Sequence, residues 1–429
     1  MKHKRKGRRI YTYHARNRRV FSPYHPVRSA IGTGVTLVLI AVLGFVGYHV
    51  VGPIVTRLNA EAESPTTTPD PFFAEVSETD PQPGTETQPT ATEPEQTSAA
   101  TTTTTTVTTE ITTTPAPVQT RFAEGVTVAY LAQADVLADL DTLEAEAARL
   151  AGQGYHAMLL PLKQTGGMLQ YASSNEKAQT CGASNQNKLT LREIQNAAKR
   201  YDISCMALMS TLEDRMYPSY FSDGSYMFQD GSTRWLDDKP DEGGKPWLDP
   251  FTDGARKYLA DLAAEIADSG MSGVICTDTV FPHFFNSDTD HLGKRIQDPA
   301  KRQDALVSTL NAIADAAPDA ACCMIDLSAA VSGGEEGFVP DKLRMKSACV
   351  RIDINDFSEP FYANEERFDP SSLGFEDKIA MLAAAAEQVT GNLRMYPCIV
   401  KGDLTEAQLE AAISVLAEAG YDTVYVTED

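Results

Sequence analysis

Two aspartates, Asp278 and Asp326, are unusual because each lies inside an apolar run of the sequence and not after it. If these runs form neighbouring strands, about 4.8 Å apart, the two carboxyl groups can approach to roughly 5–5.5 Å. That separation suits cleavage of a glycosidic bond by one nucleophilic or stabilising carboxylate and one general acid/base. We therefore predict that Asp278 takes the first role and Asp326 the second. The alternative is that these aspartates are solvated or cap the helices that follow them.

Other charged residues end neighbouring runs, and aromatic residues lie in the loops between them. Lys163, Asp214 and Asp353 are predicted to bind substrate at the same rim. Trp235 and Phe284 follow the third and fourth runs and are predicted to stack on sugar rings. The long loop after the third run supports this prediction, since loops of such length are often functional.

No pattern in the sequence indicates a cofactor. There is no G-x-S-x-G motif, Cys–His arrangement or zinc spacing. Asp288, Asp290 and His291 match no established calcium loop. We therefore expect no cofactor and no metal site. Six of the seven cysteines lie inside apolar runs, where we expect buried, reduced thiols and no disulfide framework.

These residues are carried by eight β-branched or apolar runs that alternate with helix-type segments. The runs are Val126–Ala132, Ala157–Lys163, Ser204–Asp214, Gly273–Pro282, Ala321–Ser328, Ala348–Asp356, Leu393–Lys401 and Asp422–Asp429. The clearest helices are Val136–Ala151, Leu191–Arg200, Gly254–Ser269, Lys301–Ala316, Phe375–Thr390 and Thr405–Ala419.

This alternation predicts a (β/α)8 TIM-type barrel over residues 121–429, with an α/β fold class. The near-continuous apolar character of the runs suits parallel strands that are buried on both faces. In such a barrel, the C-terminal strand ends form the active face. A doubly wound open sheet is the alternative, although no Gly-rich phosphate turn follows the first strand.

The N-terminal region has the composition of a membrane anchor. Residues 1–29 form a basic tail, and residues 30–52 form an apolar stretch long enough to cross a bilayer of about 30 Å. The basic flank predicts a cytoplasmic N-terminus and an extracellular barrel on a single-pass protein in the cell membrane. A cleaved signal peptide ending near Ala60-Glu61-Ala62 is the alternative.

Residues 53–120 are rich in Thr, Pro and Glu and contain six consecutive threonines, so we predict a disordered stalk. The chain has a formal net charge of −22, although the tail is basic. The part after the tail is therefore strongly acidic, which argues against nucleic acid or an anionic surface as a partner of the barrel.

Several motifs resemble one family of bacterial proteins. Trp235-Leu236-Asp237, the segment 245–251 (KPWLDPF), the segment 258–265 (YLADLAAE) and the segment 277–282 (TDTVFP) are similar to motifs of the bacterial putative glycoside hydrolase domain. That family is a barrel family distantly similar to α-amylase-type enzymes. Among the departures from the family pattern, Leu208, Glu213 and Val280 stand where Arg, Lys and Arg are usual.

The resemblance implies a divergent glycoside hydrolase that acts on cell-wall or extracellular polysaccharide. The departures leave two alternatives open. One is a catalytically degenerate barrel that binds polysaccharide or a cell-envelope partner, and the other is a different barrel enzyme with another extracellular substrate.

The predicted topology can be tested on intact cells. Protease added outside should cut the stalk between residues 61 and 119 and release the barrel, because an unfolded stalk is the most accessible substrate. The measurement is an immunoblot of the medium with an antibody against the barrel. A barrel that stays protected until the membrane is breached would contradict an N-in, C-out anchor.

Overall fold

The computed structural model describes residues 121–428. Eight parallel strands close into a barrel, which confirms the predicted (β/α)8 fold and excludes the open sheet. The barrel strands are β1 Thr127–Leu131, β2 Ala157–Lys163, β3 Ser204–Ser210, β4 Val274–Thr277, β5 Ala321–Asp326, β6 Ser347–Ile352, β9 Arg394–Val400 and β10 Thr423–Thr427. Their order around the barrel is β1-β10-β9-β6-β5-β4-β3-β2.

Helices surround the barrel, and five of the six longest begin at a side chain that caps the helix. The six longest are Leu140–Gly152, Leu191–Lys199, Asp253–Asp268, Pro299–Ala316, Phe375–Thr390 and Glu406–Glu418. Thr190 and Thr405 each form a capping box, with Glu193 and Gln408 respectively, which satisfies amide groups at the helix start. Shorter helices are Glu176–Thr180, Met216–Tyr220, Asp288–Leu292 and Leu327–Ser332.

A hairpin between β6 and the next long helix was not predicted. Its strands, β7 Phe361–Ala363 and β8 Glu366–Phe368, are three residues each. Asn364 and Glu365 form the turn, and both have positive φ, as a tight two-residue hairpin turn requires.

The core has two layers, as the alternation of side chains along each strand requires. One layer fills the barrel with Leu159, Leu208, Ile275, Tyr425 and their neighbours, and the other lies between strands and helices. All seven cysteines are free, and six of them lie in strands. Burial raises the pKa of Cys322, inside the barrel, to about 12, so its thiol is unreactive at neutral pH.

The predicted tail, membrane span and stalk lie outside the described residues. Between residues 121 and 428, no helix combines the length and the apolar character that a membrane span needs.

A buried ion pair links β2 to the loop after β3. The register of β2 shifts between Pro161 and Lys163, as at a β-bulge, so that Lys163 pairs with Met209. Because a bulge turns the following side chain, Lys163 does not continue the inward alternation of Leu159 and Pro161. Its side chain is fully buried, and its Nζ lies 2.9 Å from Asp214 Oδ2.

Both partners of this pair are also held by the backbone. Lys163 Nζ donates to the carbonyl oxygen of Ser210 at 2.7 Å. Asp214 Oδ1 accepts from the amides of Met216 and Tyr217 at 2.8 and 3.1 Å. A Cβ on Gly167, where φ is +92°, would lie 2.2 Å from Asp214 Oδ1, so only glycine fits there. The pair therefore fixes the start of the long loop after β3.

Breaking this pair should destabilise the fold strongly. Lys163→Met leaves a buried carboxylate without its cation and should lower the free energy of unfolding by about 3–5 kcal/mol. Lys257→Met is the control, because it removes an exposed Lys257–Asp261 pair and should cost less than about 1 kcal/mol. Urea unfolding of the full-length variants measures both, and equal stability of the two would contradict a structural role of Lys163.

Candidate functional site

Asp278 follows β4 at the mouth of the barrel and has a rare backbone conformation. Its φ is 53°, in the left-handed region, which few residues other than glycine adopt. Its Oδ2 accepts hydrogen bonds from Thr165 at 3.2 Å and Thr277 at 3.3 Å. Such conformations cluster at functional sites, where neighbouring structure maintains them. Here the fixed conformation aims the carboxylate at the mouth.

Two cavities meet at Asp278. The larger, of about 410 Å³, lies over β2, β3 and β4 and is also lined by Gln164, Thr165, Leu208 and Ser210. The smaller, of about 180 Å³, is also lined by Val280, Met324 and Glu335. Asp278 is thus the one residue that lines both of these cavities.

Glu213 supplies a second carboxyl group near Asp278. It follows β3, the strand beside β4, and is half-buried. Burial raises the pKa of Glu213, and the negative charges of Asp278 and Asp237 raise it further, while Arg215 opposes them. Two neighbouring carboxyl groups that cannot both ionise freely are suited to acid/base chemistry. One signal for Glu213 was visible beforehand: the motif that the chain resembles usually has a lysine at this position.

Asp326 ends β5 but is held by structural partners. Its Oδ1 accepts from the amide of Ala329 at 2.9 Å and the hydroxyl of Ser328 at 2.6 Å, so it caps a short helix. Its Oδ2 accepts from Arg351 Nη1 at 2.7 Å. Burial alone would raise the pKa of Asp326, but these hydrogen bonds outweigh it and hold the pKa below its usual value.

The predicted pair of Asp278 and Asp326 is therefore not brought into one cavity. Neither Asp326 nor Glu213 lines either of the two cavities that meet at Asp278, so their protonation and partners distinguish these two residues, and cavity lining does not. A low pKa is also the opposite of what a general acid needs.

Glu335 is a partly buried carboxyl group that the sequence did not single out. Its Oε1 accepts from the amide of Asp326 at 3.1 Å, and its side chain lines the small cavity beside Asp278. Burial raises the pKa of Glu335; the amide hydrogen bond lowers it, and the Asp326 charge raises it again. Its position depends on a short helix and a glycine-rich loop, for which the sequence offers no periodic signal.

The other charged residues that were predicted to bind substrate have structural partners. Lys163 and Asp214 bind each other and are almost completely buried. Asp353 caps a single 3₁₀ turn and accepts from the amide of Asn355 at 2.9 Å. Lys163 lines the larger cavity, but both residues are only 1% exposed, so a substrate has almost no surface of either to contact.

The two predicted aromatic residues pack against each other. Trp235 is only 2% exposed, and its ring centroid lies 5.0 Å from that of Phe284. Tyr226 contacts both rings, at 5.6 and 5.4 Å. This cluster joins the loops after β3 and β4. The exposed aromatic ring of the loop after β4 is Phe285, with 55% of its surface accessible.

Two residues of the motifs that resemble the family, Glu265 and Asp237, form hydrogen bonds that hold loops in place. Glu265 accepts hydrogen bonds from Tyr171 at 2.9 Å and from Ser174 Oγ at 2.6 Å, which ties the loop after β2 to a helix. Asp237 accepts from Trp247 Nε1 at 2.9 Å. Among residues 121–428, no three His, Cys, Asp or Glu side chains are grouped so as to hold a metal ion.

Several solved structures are distantly similar to the chain. The glycoside hydrolase domain of PgaB (BpsB) from Bordetella bronchiseptica has 12% identity, with 71% of this chain and 94% of that chain covered and a TM-score of 0.43. That of PelA from Pseudomonas aeruginosa has 13% identity, coverage of 70% and 94%, and a TM-score of 0.36. A hypothetical protein from Ruminiclostridium thermocellum ATCC 27405 has 15% identity, coverage of 42% and 90%, and a TM-score of 0.34. Similarity this distant says nothing about activity.

The sequence itself matches one family. No curated protein is significantly similar to the chain. Residues 135–333, from the segment after β1 to the segment after β5, match the model of a family described as "Putative glycosyl hydrolase domain". Through this segment, which is less than half of the chain, the protein is similar to that family.

Proposed function

We propose that the protein is a glycoside hydrolase that cleaves an extracellular or cell-wall polysaccharide with Asp278 and Glu213. The observation that carries this proposal is the position of two carboxyl groups, Asp278 and Glu213, after the neighbouring strands β4 and β3 at the barrel mouth. Glu213 retains its proton to higher pH than an ordinary glutamate, and Asp278 supplies the negative charge beside it. The family match supports the same reaction class.

In this mechanism the two carboxyl groups take different roles. The Glu213 carboxyl donates its proton to the glycosidic oxygen as the bond from that oxygen to the anomeric carbon breaks. The Asp278 carboxylate stabilises the positive charge that develops on the sugar ring, or attacks the anomeric carbon. Water then completes the hydrolysis and returns a proton to Glu213. Thr165 and Thr277 orient Asp278 through the hydrogen bonds described above.

Asp326 has a supporting role in this proposal. Its salt bridge to Arg351 and its helix cap favour a permanently ionised carboxylate. It also binds Glu335 through its amide, so it positions the wall of the small cavity. Asp326 as the acid/base remains the sequence-based alternative to Glu213.

A barrel that binds polysaccharide without cleaving it is the second candidate function. The observation in its favour is the apolar character of positions where the family usually has arginine. Leu208 lines the larger cavity, and Val280 lines the smaller one and is 41% exposed. Neither side chain can hydrogen-bond a sugar hydroxyl. Hydrolysis by the wild type distinguishes the two functions.

We further propose that the barrel is held outside the cell by the predicted anchor and stalk. The support is the basic tail, the apolar stretch and the Thr/Pro/Glu-rich segment of the sequence. A stalk of roughly 60 residues spans about 45 Å as a flexible coil, or up to about 180 Å when drawn out. That reach would bring the barrel to polysaccharide beyond the membrane surface.

The catalytic pair predicts a specific pattern of mutant activities. Full-length wild type should release reducing sugar from cell-wall polysaccharide or a soluble α- or β-glucan. Asp278→Asn and Glu213→Gln should each lower kcat by about 100-fold or more, because each removes a step of the reaction. Asp326→Asn should cost less than either. Equal losses for Asp326→Asn and Glu213→Gln would contradict the assignment of Glu213, and absence of cleavage by wild type would contradict hydrolysis itself.

The raised pKa of Glu213 predicts the pH dependence of the rate. A general acid works only while protonated, so activity should fall on the alkaline side as Glu213 loses its proton. Arg215→Gln removes a positive charge that lowers the pKa of Glu213, so it should move the alkaline limb to higher pH. The exposed Arg192→Gln, on the helix after β2, is the control and should leave the limb in place. The measurement is kcat/KM as a function of pH. An alkaline limb at the same pH in wild type and Arg215→Gln would contradict the assignment of Glu213 as the general acid.

A further inference from the structure

A groove of about 640 Å³ lies between the loops after β3 and β4. Its lining is mostly apolar and includes Phe228, Trp235, Pro240 and Phe285. Both loops leave the C-terminal ends of their strands, so the groove opens on the same face of the barrel as Asp278. Its volume is within the range of about 300–1,000 Å³ that is usual for ligand sites.

The floor of the groove is formed by packed aromatic rings. Trp235 is buried against Tyr226 and Phe284, as described above. Phe228 stacks on His291, with ring centroids 4.7 Å apart and an angle of 17° between the rings. A preformed floor reduces the entropy that a ligand must lose on binding.

The lip of the groove carries an exposed aromatic ring. Phe285 is 55% exposed, although its backbone is fixed by a hydrogen bond of 2.6 Å from its amide to Asp288 Oδ2. His283 contacts the Phe285 ring edge to face at 5.1 Å. A large apolar side chain that the backbone holds in solvent, beside an apolar groove, is typical of a binding surface.

The groove adjoins the carboxylate pair. Asp237 lines it and is held by hydrogen bonds from the Lys245 amide at 2.6 Å and from Trp247 Nε1 at 2.9 Å. The charge of the same Asp237 acts on Glu213. Asp237 therefore belongs both to the lining of the groove and to the charges that act on Glu213.

The charges of the groove restrict its ligand. Its lining contains four carboxylates and two basic side chains: Asp237, Asp238, Glu242 and Asp288, with Arg234 and Lys239. Lys239 already pairs with Glu242 at 2.8 Å. A polymer with a carboxylate or phosphate on each sugar would be repelled here.

We infer that this groove is a subsite for a non-anionic polysaccharide chain, with the Phe285 ring as its stacking platform. It holds the part of the chain that extends from the bond at Asp278 and Glu213. The inference rests on the proposed function in taking a polysaccharide as the ligand. Beyond the proposed function, the inference specifies the surface that binds the polysaccharide and predicts that the polysaccharide carries no negative charge.

Binding without cleavage tests this inference directly. Full-length Asp278→Asn protein is run in native gels that contain mild detergent and one polymer: soluble starch, hydroxyethylcellulose or anionic carboxymethylcellulose. We expect retardation by at least one neutral polymer and weaker retardation by carboxymethylcellulose than by hydroxyethylcellulose. Adding Phe285→Ala should weaken the affinity for the neutral polymer about tenfold, because stacking is lost.

Two further variants keep the test specific. Phe285→Trp should restore binding, since it keeps an aromatic face. Tyr362→Ala removes an equally exposed ring, on the β7–β8 hairpin and outside the groove, and should leave binding unchanged. Unchanged binding in Phe285→Ala, an equal loss in Tyr362→Ala, preference for carboxymethylcellulose, or no retardation by any polymer would overturn the inference. Binding with this pattern but no cleavage by wild type would overturn the proposed hydrolysis alone.

Discussion

Closure of the parallel sheet is the constraint on which the site depends. β1 pairs with both β2 and β10, so the eight barrel strands form a ring and all end at one rim. Neighbouring strands are about 4.8 Å apart, and acidic residues that end adjacent strands must therefore lie near one another. Such groups repel unless a cation, a hydrogen-bond donor or a retained proton compensates the charge.

The barrel compensates these charges in different ways at different strand ends. Asp214 is paired with Lys163 and two backbone amides, and Asp326 with Arg351 and a helix start. Glu213 and Glu335 instead have raised pKa values. Asp278 is held by two neutral hydroxyls and faces both cavities. The distribution of partners thus separates carboxylates that support the structure from those available for chemistry.

The strand pattern could be predicted from the sequence because the spacing and composition of apolar residues indicate directly which segments are buried. The run Ala157–Lys163 and the helix Phe375–Thr390 have the predicted bounds. Side-chain roles were harder to predict, since each depends on a local contact. A bulge redirects Lys163, and the N-cap geometry of a six-residue helix engages Asp326.

The loops were the least predictable part of the site. Trp235 was expected to face a sugar, but the ring packs into a cluster that joins two loops far apart in sequence. Phe285, the neighbour of the predicted Phe284, is the exposed ring. No periodicity in a loop distinguishes these two positions, because the packing of one loop on another determines which ring is buried.

The coupling between Asp278 and Glu213 is the central claim, and the most direct test is a titration of the Glu213 carboxyl group. Carbon-13 NMR of labelled protein, assigned with Glu213→Gln, reports the pKa in wild type and in Asp278→Asn. The account predicts a pKa above the usual glutamate value in wild type and a lower pKa once the Asp278 charge is removed. A Glu213 pKa that is ordinary in wild type, or unchanged in Asp278→Asn, would contradict it.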